Sequence, residues 1–248
     1  MRDSLLTSER SERPHETAPR STSRLTRPRR GRPNAFRIMA PINHHRETSN
    51  VVQFRGRGVR AQLREALEAR APIRVLREKI SANWVHGHII GLSAEFCLIA
   101  EVSDSMRFDG FLAIAVGDVS AIEEDPGREF VERALALNEE TIPALPEIRL
   151  EDWETIAQTA AATTPLISLN MLDEEAGEVS YVGRLVGQEH DALVLQEVDP
   201  NAKWYPDTGA YEFQAIGSIG FGTAYMLMLA QVAGVPPVPQ SPDMLPSI

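Results

Sequence analysis

The chain has 248 residues, of which 43% are hydrophobic and 24% charged, and a formal net charge of −10, the make-up of globular material. The total hides a division. Residues 1–60 hold fourteen Arg and five acids, a net of +9, while residues 61–248 hold eleven basic and thirty acidic side chains, a net of −19. An acidic folded part disfavours a nucleic-acid backbone over most of its surface. No apolar run approaches the ~20 residues that span a bilayer. The single cysteine, Cys97, excludes an intramolecular disulfide and suits a reducing cytoplasm, where no secretory signal directs the chain elsewhere.

Residues 1–55 are rich in Arg, Ser, Thr and Pro and lack a sustained apolar period. They are expected to be disordered, because they cannot bury enough apolar surface to offset the entropy of ordering. Within the Arg-rich segment 20–37, the run Arg27-Pro28-Arg29-Arg30-Gly31-Arg32-Pro33 is a candidate nucleic-acid arm. The competing readings are a plain tail and a native start at Met39. Two Lys against twenty-three Arg suggest a GC-rich bacterial genome, in which upstream starts are easily over-extended.

Val59 to Arg70 reads as a helix with Val59, Leu63, Ala66 and Leu67 on one face, ended by Pro72. Ile73–Ile80 reads as a strand that turns Arg74, Arg77 and Lys79 to solvent. Strands follow over Trp84–Leu92 and Glu95–Val102, joined by a tight hairpin at Ser93-Ala94. Two more cover Gly110–Val116 and Asp118–Ile122, broken at Gly117. Glu129–Asn138 closes the unit as a helix with Phe130, Ala134 and Leu137 on one face. The order then recurs: helix Asp152–Ala162, strand Leu166–Leu172, turn Asp173–Gly177, and strands Glu178–Gln188 and Asp191–Val198. A long loop, Pro200–Thr208, carries Trp204 and Tyr205. Strands Gly209–Ile216 and Ser218–Phe221 are broken at Gly217, and helix Ala224–Val232 ends the unit. Beyond Gly234 the prolines 236, 237, 239, 242 and 246 predict an extended tail.

The recurrence is visible in the residues. Gly87–Asp104, GHIIGLSAEFCLIAEVSD, aligns without a gap on Gly183–Pro200, GRLVGQEHDALVLQEVDP, ninety-six positions later. Gly87/Gly183, Gly91/Gly187, Glu101/Glu197 and Val102/Val198 are identical. A period this long means two copies of one folding unit. Gly117-Asp118 is expected to correspond to Gly217-Ser218. A helix followed by short strands with glycine-marked bends is the plan of a small five-stranded barrel. The predicted class is mainly β with short flanking helices, as two tandem small barrels. The divisions are a disordered segment 1–55, repeats at 56–138 and 150–233, and a Pro-rich tail 234–248.

The motif Gly87-x-Ile89-x-Gly91-Leu92-Ser93-x-x-Phe96-Cys97-Leu98-Ile99 resembles the first motif of the Sm and Sm-like family. Val116-Gly117-Asp118-Val119 resembles the second, as does Ile216-Gly217-Ser218-Ile219 in the second copy. The resemblance covers about 75 residues per copy and implies Sm-like or SH3-like barrels. It does not carry the family's RNA pocket. The pocket Asp position holds Ser93 and Glu189, the Asn position Cys97 and Leu193, and the Arg position Val116 and Ile216. Bases are held by stacking and edge hydrogen bonds in a basic setting, and those groups are missing.

His86 and His88, two apart on a predicted strand, share a face and could begin a metal site with Glu101 or Asp104; an unmetallated pair is the competing reading. Glu101 and Glu197, at the same place in both copies, are either a shared site or loop anchors. Cys97 between apolar neighbours reads as a buried, inert thiol. Trp204 and Tyr205, with Trp84 and Phe108 as counterparts in the first copy, are the candidate binding aromatics, or else caps on a barrel end. No cofactor motif is present. The expected function is a non-catalytic interaction or adaptor module with a protein partner, self or foreign. The alternatives are a nucleic-acid regulator using the basic arm and a metal enzyme at His86/His88.

Overall fold

In the computed structural model, which describes residues 58–173 and 177–239, helix α1 (Val59–Ala69) buries Leu63 and Ala66. It stops at Arg70, whose φ of 50° breaks the helical path. Strand β1 (Ile73–Arg77) follows, then β2 (Ser81–Leu92), β3 (Phe96–Val102) and β4 (Phe108–Ala115). A 3-10 turn over Val116–Asp118 precedes β5 (Ala121–Glu124) and α2 (Arg128–Leu137). The second half repeats this as α3 (Trp153–Thr163), β6 (Ile167–Asp173), β7 (Gly177–Glu189), β8 (Ala192–Val198) and β9 (Trp204–Glu212). A second 3-10 turn (Phe213–Ala215), β10 (Ile216–Phe221) and α4 (Ala224–Ala233) complete it. Asp152 caps α3 by accepting from Thr155 N at 2.7 Å, and Thr223 caps α4 by accepting from Met226 N at 3.1 Å, each satisfying an otherwise free helix donor.

The ten strands make one antiparallel sheet in the order β5-β1-β2-β3-β4-β10-β6-β7-β8-β9. Each half contributes the same five-strand order, and the halves are joined where β4 pairs with β10. The expected closure of each repeat into a small barrel is not seen: the sheet is continuous and open, with β5 and β9 as its outermost strands. The ninety-six-residue repeat is reproduced in pairing. Gly87 faces Glu101 and Gly183 faces Glu197. Both hairpins carry one extra residue between corresponding pairs, Ile90 in β2 and Val186 in β7. Such a bulge increases local twist. At Gly87 a Cβ would lie 2.1 Å from Ala100 O, and at Gly183 2.4 Å from Gln196 O. Only glycine permits that closeness of strands.

The later register differs from expectation. Ile122 pairs with Val75 and Ile219 with Leu169, which makes β5 and β10 equivalent at a spacing of ninety-seven. Gly117 thus corresponds to Gln214 in the second 3-10 turn, while Gly217 lies inside β10 and matches Ser120. The break in the strand falls at the turn Phe213–Ala215, not at Gly217. The loop over 200–208 is also shorter than expected, since Trp204 and Tyr205 already belong to β9.

Two large cores and a smaller cluster of Leu166, Val182, Val198, Met226 and Leu229 fill the fold. One, lined by Leu63, Ile73, Val75, Ile89, Cys97, Ile99, Ile114 and Ile122, lies within the first half. The other crosses the joint: Phe96, Leu98 and Ala113 of the first half share it with Ile156, Ala157 and Ala160 of α3 and with Ile219 and Phe221. Phe111 stacks on Phe221 at 5.2 Å and Phe96 meets Trp153 edge-on at 4.7 Å, contacts worth about 0.5–1.5 kcal/mol each beyond burial. In α2 the buried residues are Val131 and Leu135, and the expected face of Phe130, Ala134 and Leu137 points the other way, with Phe130 64% and Leu137 85% exposed.

Candidate functional site

The joint between the halves holds a connected group of buried polar side chains. Arg77 was expected to reach solvent, but it shares a face with Ile73 and Val75 and is 3% exposed. The last residue of β1 thus turns inward with the core residues. Its guanidinium crosses to the second half, donating to Gly217 O at 3.0 Å and to both carboxylate oxygens of Glu178 at 3.2 Å. Ser218 Oγ donates to the same carboxylate at 2.9 Å, Asn170 Nδ2 donates to Ser218 Oγ at 2.9 Å, and Ser180 Oγ donates to Asn170 Oδ1. Arg77 Nε is buried with no hydrogen-bond partner among the described residues. Sequence reasoning missed this set, because Arg77 and Glu178 are 101 residues apart and neither belongs to the repeated motif.

The repeated carboxylates do not meet. Glu101 lies opposite the extra residue that separates Phe108 from Phe111 in β4, and Glu197 opposite the longer bulge between Trp204 and Thr208 in β9. Glu197 is buried and accepts from Tyr211 Oη at 2.6 Å, a side-chain tie between β8 and β9. The first copy has Ile114 at the position of Tyr211. Without that phenol, burial, aided by the nearby Asp109 carboxylate, pushes Glu101 up to about 7.

His86 and His88 share a strand face but bind nothing in common. His86 Nδ1 lies 3.1 Å from Asp125 Oδ2. His88 is 2% exposed, and its Nδ1–H donates to Arg70 O at 3.1 Å. Its ring tilts on Phe108 at 5.6 Å, and its Nε2 is buried with no hydrogen-bond partner among the described residues. Burial holds the imidazole below its ordinary value. No cluster of three or more His, Cys, Asp or Glu suited to a metal occurs among the described residues, so Glu101 and Asp104 do not complete a site with the two histidines. Cys97 is buried, and burial raises its thiol to about 12, far from a nucleophile's range.

The aromatic candidates serve separate neighbourhoods. Trp204 packs beside the cluster of Leu166, Val182, Val198, Met226 and Leu229, and its Nε1 donates to Gly234 O at 3.2 Å. Tyr205 O accepts from Gln196 Nε2 at 3.1 Å. Phe108 is the true counterpart of Trp204, since they face Val102 and Val198 in turn. Trp84 is not: it faces Leu76 in β1 and lies under the Arg74 guanidinium at 4.6 Å, while Arg74 also pairs with Glu123 at 2.7 Å. Trp204 and Tyr205 are thus part of a strand rather than a free loop, and Trp204, together with Gln196, whose Nε2 donates to Pro237 O at 3.1 Å, holds the chain that follows α4 against the sheet.

The outermost strands, β5 and β9, turn alternate backbone groups away from the sheet, those of β5 being largely covered, since Ile122 is 3% exposed. Phe213 N donates to Asp191 O at 2.9 Å. In an antiparallel ladder bonded and unbonded pairs alternate, so Tyr211 and Gly209 bond to β8, and Thr208, Ala210 and Glu212 turn their N–H and C=O groups outward. On β5 the bond from Asp125 N to Pro72 O at 3.1 Å fixes the alternation in the same way, with Ile122 and Glu124 outward. The Arg-rich arm at 20–37, the residues 174–176 of the predicted turn and the tail beyond 239 lie outside the described residues. No described helix is long and apolar enough to cross a membrane. Comparisons with protein-family models, with curated proteins and with solved structures return no significant match.

Proposed function

We propose that the chain is a non-catalytic interaction module of the cytoplasm, built from two Sm-like units, that engages a protein partner through its open sheet edges. The observation that carries this is the joint itself: the two repeats are held to each other by edge-to-edge strand pairing of β4 with β10. Unpaired strand edges are adhesive, and an extended segment or another edge adds to them through main-chain hydrogen bonds. The strand order shared by the two halves, with a helix ahead of each, supports the Sm-like reading. The changed pocket positions at Ser93, Cys97, Glu189 and Leu193 favour protein over RNA as the partner.

The test is capture from the native cell extract with the tagged full chain and with Ala210→Pro. Proline removes one outward N–H from β9, and edge strands tolerate it. The proposal expects a protein retained through nuclease and high salt by the wild-type chain and lost by the variant. Retention of nucleic acid that salt releases, or of the same material by both chains, defeats it.

A further inference from the structure

We propose that the outer face of the second hairpin, around Val186 and Gly187 of β7, is the docking surface for this chain's own tail, residues 240–248. The inference goes beyond the reading of the sheet edges: it concerns a face of the sheet, and either can fail without the other. It starts from a further stretch of the repeat. Helices α2 and α4 have equal length and begin ninety-six residues apart, at Arg128 and Ala224. At the same spacing, Ile142-Pro143-Ala144-Leu145-Pro146-Glu147-Ile148, from the segment between the halves, aligns without a gap on Val238-Pro239-Gln240-Ser241-Pro242-Asp243-Met244. Pro143/Pro239 and Pro146/Pro242 are identical, and Ile142/Val238, Glu147/Asp243 and Ile148/Met244 keep their chemical type. The tail is therefore the second copy of the segment that follows α2.

In the first half that segment has a defined place. It lies over the first hairpin, where a Cβ at Gly91 would be 2.9 Å from Leu145 and 3.1 Å from Leu150. The bulge residue Ile90 packs on the joint core, and Ile148 is buried in that core with Phe96 and Leu98. Glu147 is exposed, so the acid of the pattern asks nothing of the surface beneath it. In the second half the same place is open. No described residue lies within 4 Å of a Cβ at Gly187, and Val186, the equivalent of Ile90, is 44% exposed.

The chain after α4 is directed to this place. Trp204 Nε1 holds Gly234 O, and Gln196 Nε2 holds Pro237 O. Gly187 pairs with Val194, two residues before Gln196 on the same face of β8. An extended chain covers ~3.3 Å per residue and neighbouring strands lie ~4.8 Å apart, so the seven residues from Pro237 to Met244 reach the hairpin with length to spare. The side chains are matched as well. Where the first half sets Ile148 with Phe96, the second has Met244 and Ala192. The longer, unbranched side chain goes with the smaller wall, and Met adapts to such a gap. Prolines preset the extended backbone and so lower the entropy lost on docking. A foreign segment of the same pattern would have to compete with one tethered a few residues away, at a high effective concentration.

The experiment labels the thiol of Val186→Cys in the full chain with N-ethylmaleimide, an uncharged reagent, Cys97 being buried. Adding Met244→Asp removes the apolar contact from the tail and leaves the sheet untouched. The Val186→Cys chain is expected to react about tenfold more slowly than the same chain with Met244→Asp, the factor that burial of one side chain of this size supplies. Met244→Leu should keep the protection, and the rate should not depend on protein concentration. Equal rates with and without Met244→Asp overturn the proposal. Protection that grows with protein concentration does so too, since the tail of one copy would then lie on another. Glu68→Cys, at an exposed position of α1, should react at one rate in both backgrounds, and a change there as large as at position 186 also defeats the assignment. None of these rates involves β5 or β9, so capture lost with Ala210→Pro tests the edges separately.

Discussion

Replacing Arg77 by Met tests whether the polar group at the joint holds the halves together. Met keeps most of the volume of the side-chain stem and removes the three bonds to Gly217 O and Glu178. Breaking one partner of a fully buried ion pair costs about 3–5 kcal/mol. The Glu178 side chain is 21% exposed and keeps the Ser218 hydroxyl, so water recovers part of that loss. A cost of about 2–4 kcal/mol follows. For a domain of this size each kcal/mol moves the melting temperature by about 2–4 °C, so the shift is about 4–16 °C. Chemical denaturation followed by tryptophan fluorescence is the assay, because Trp84 and Trp204 report on separate halves and Trp153 on the joint. The variant should melt earlier, with Trp153 leading. Adding Glu178→Gln should restore more than half of the loss, because the amide oxygen still accepts from Ser218 and no charge is left behind. A single-variant change below about 0.5 kcal/mol, the range of ordinary surface substitutions, or a double variant no better than Arg77→Met, refutes the reasoning.

His88 should make stability fall with acidification: its folded value is depressed by burial, so below the unfolded value of about 6.5 the unfolded chain takes up the proton first and is favoured. His88→Phe should flatten this part of the stability profile between about pH 7 and 5, and parallel profiles for the two proteins would argue against it. Glu101 runs the opposite way. Its folded value is about 7 against 4.5 for the free group, so stability is lost as pH rises through that window. Glu101→Gln should stabilise the chain above it by about 1–2 kcal/mol after allowance for partial solvation, a gain that urea titration should find absent near pH 4. Gly87→Ala and Gly183→Ala should each cost several kcal/mol, since backbone carbonyls lie 2.1 and 2.4 Å from the added carbon, whereas Gly187→Ala, with nothing within 4 Å, should leave the melting temperature nearly unchanged in calorimetry.

The hairpin repeat was readable because both copies must solve the same local problem. Two strands that approach to within a backbone's width need Gly87 and Gly183, and those residues survive as identities. The bulges at Ile90 and Val186 travel with them. The later strands were misaligned because β4 and β9 carry bulges of different length, and the glycine of Gly117-Asp118 found a false match at Gly217. The inward turn of Arg77 and the outward turn of Phe130 were illegible for a related reason. Local periodicity places a residue on a face of its own element, but which face is buried depends on what packs there. For Arg77 that is the other half of the chain. The fusion of two halves through β4 and β10 left no mark in the repeat, since hydrogen bonding along an edge is made by backbone that every residue shares.

Arg77 and Glu178 have apolar counterparts, Met171 and Ala82. In an assembly of identical single units, any change that placed an arginine at one site would place it at every site, and complementary charges could not be assigned to opposite sides of one contact alone. Covalent tandem linkage lifts that restriction. Once the repeats occupy separate stretches of one gene they can diverge, and one copy can carry a charge where the other stays apolar. The pair is a record of that divergence, placed at the contact that covalent linkage makes permanent.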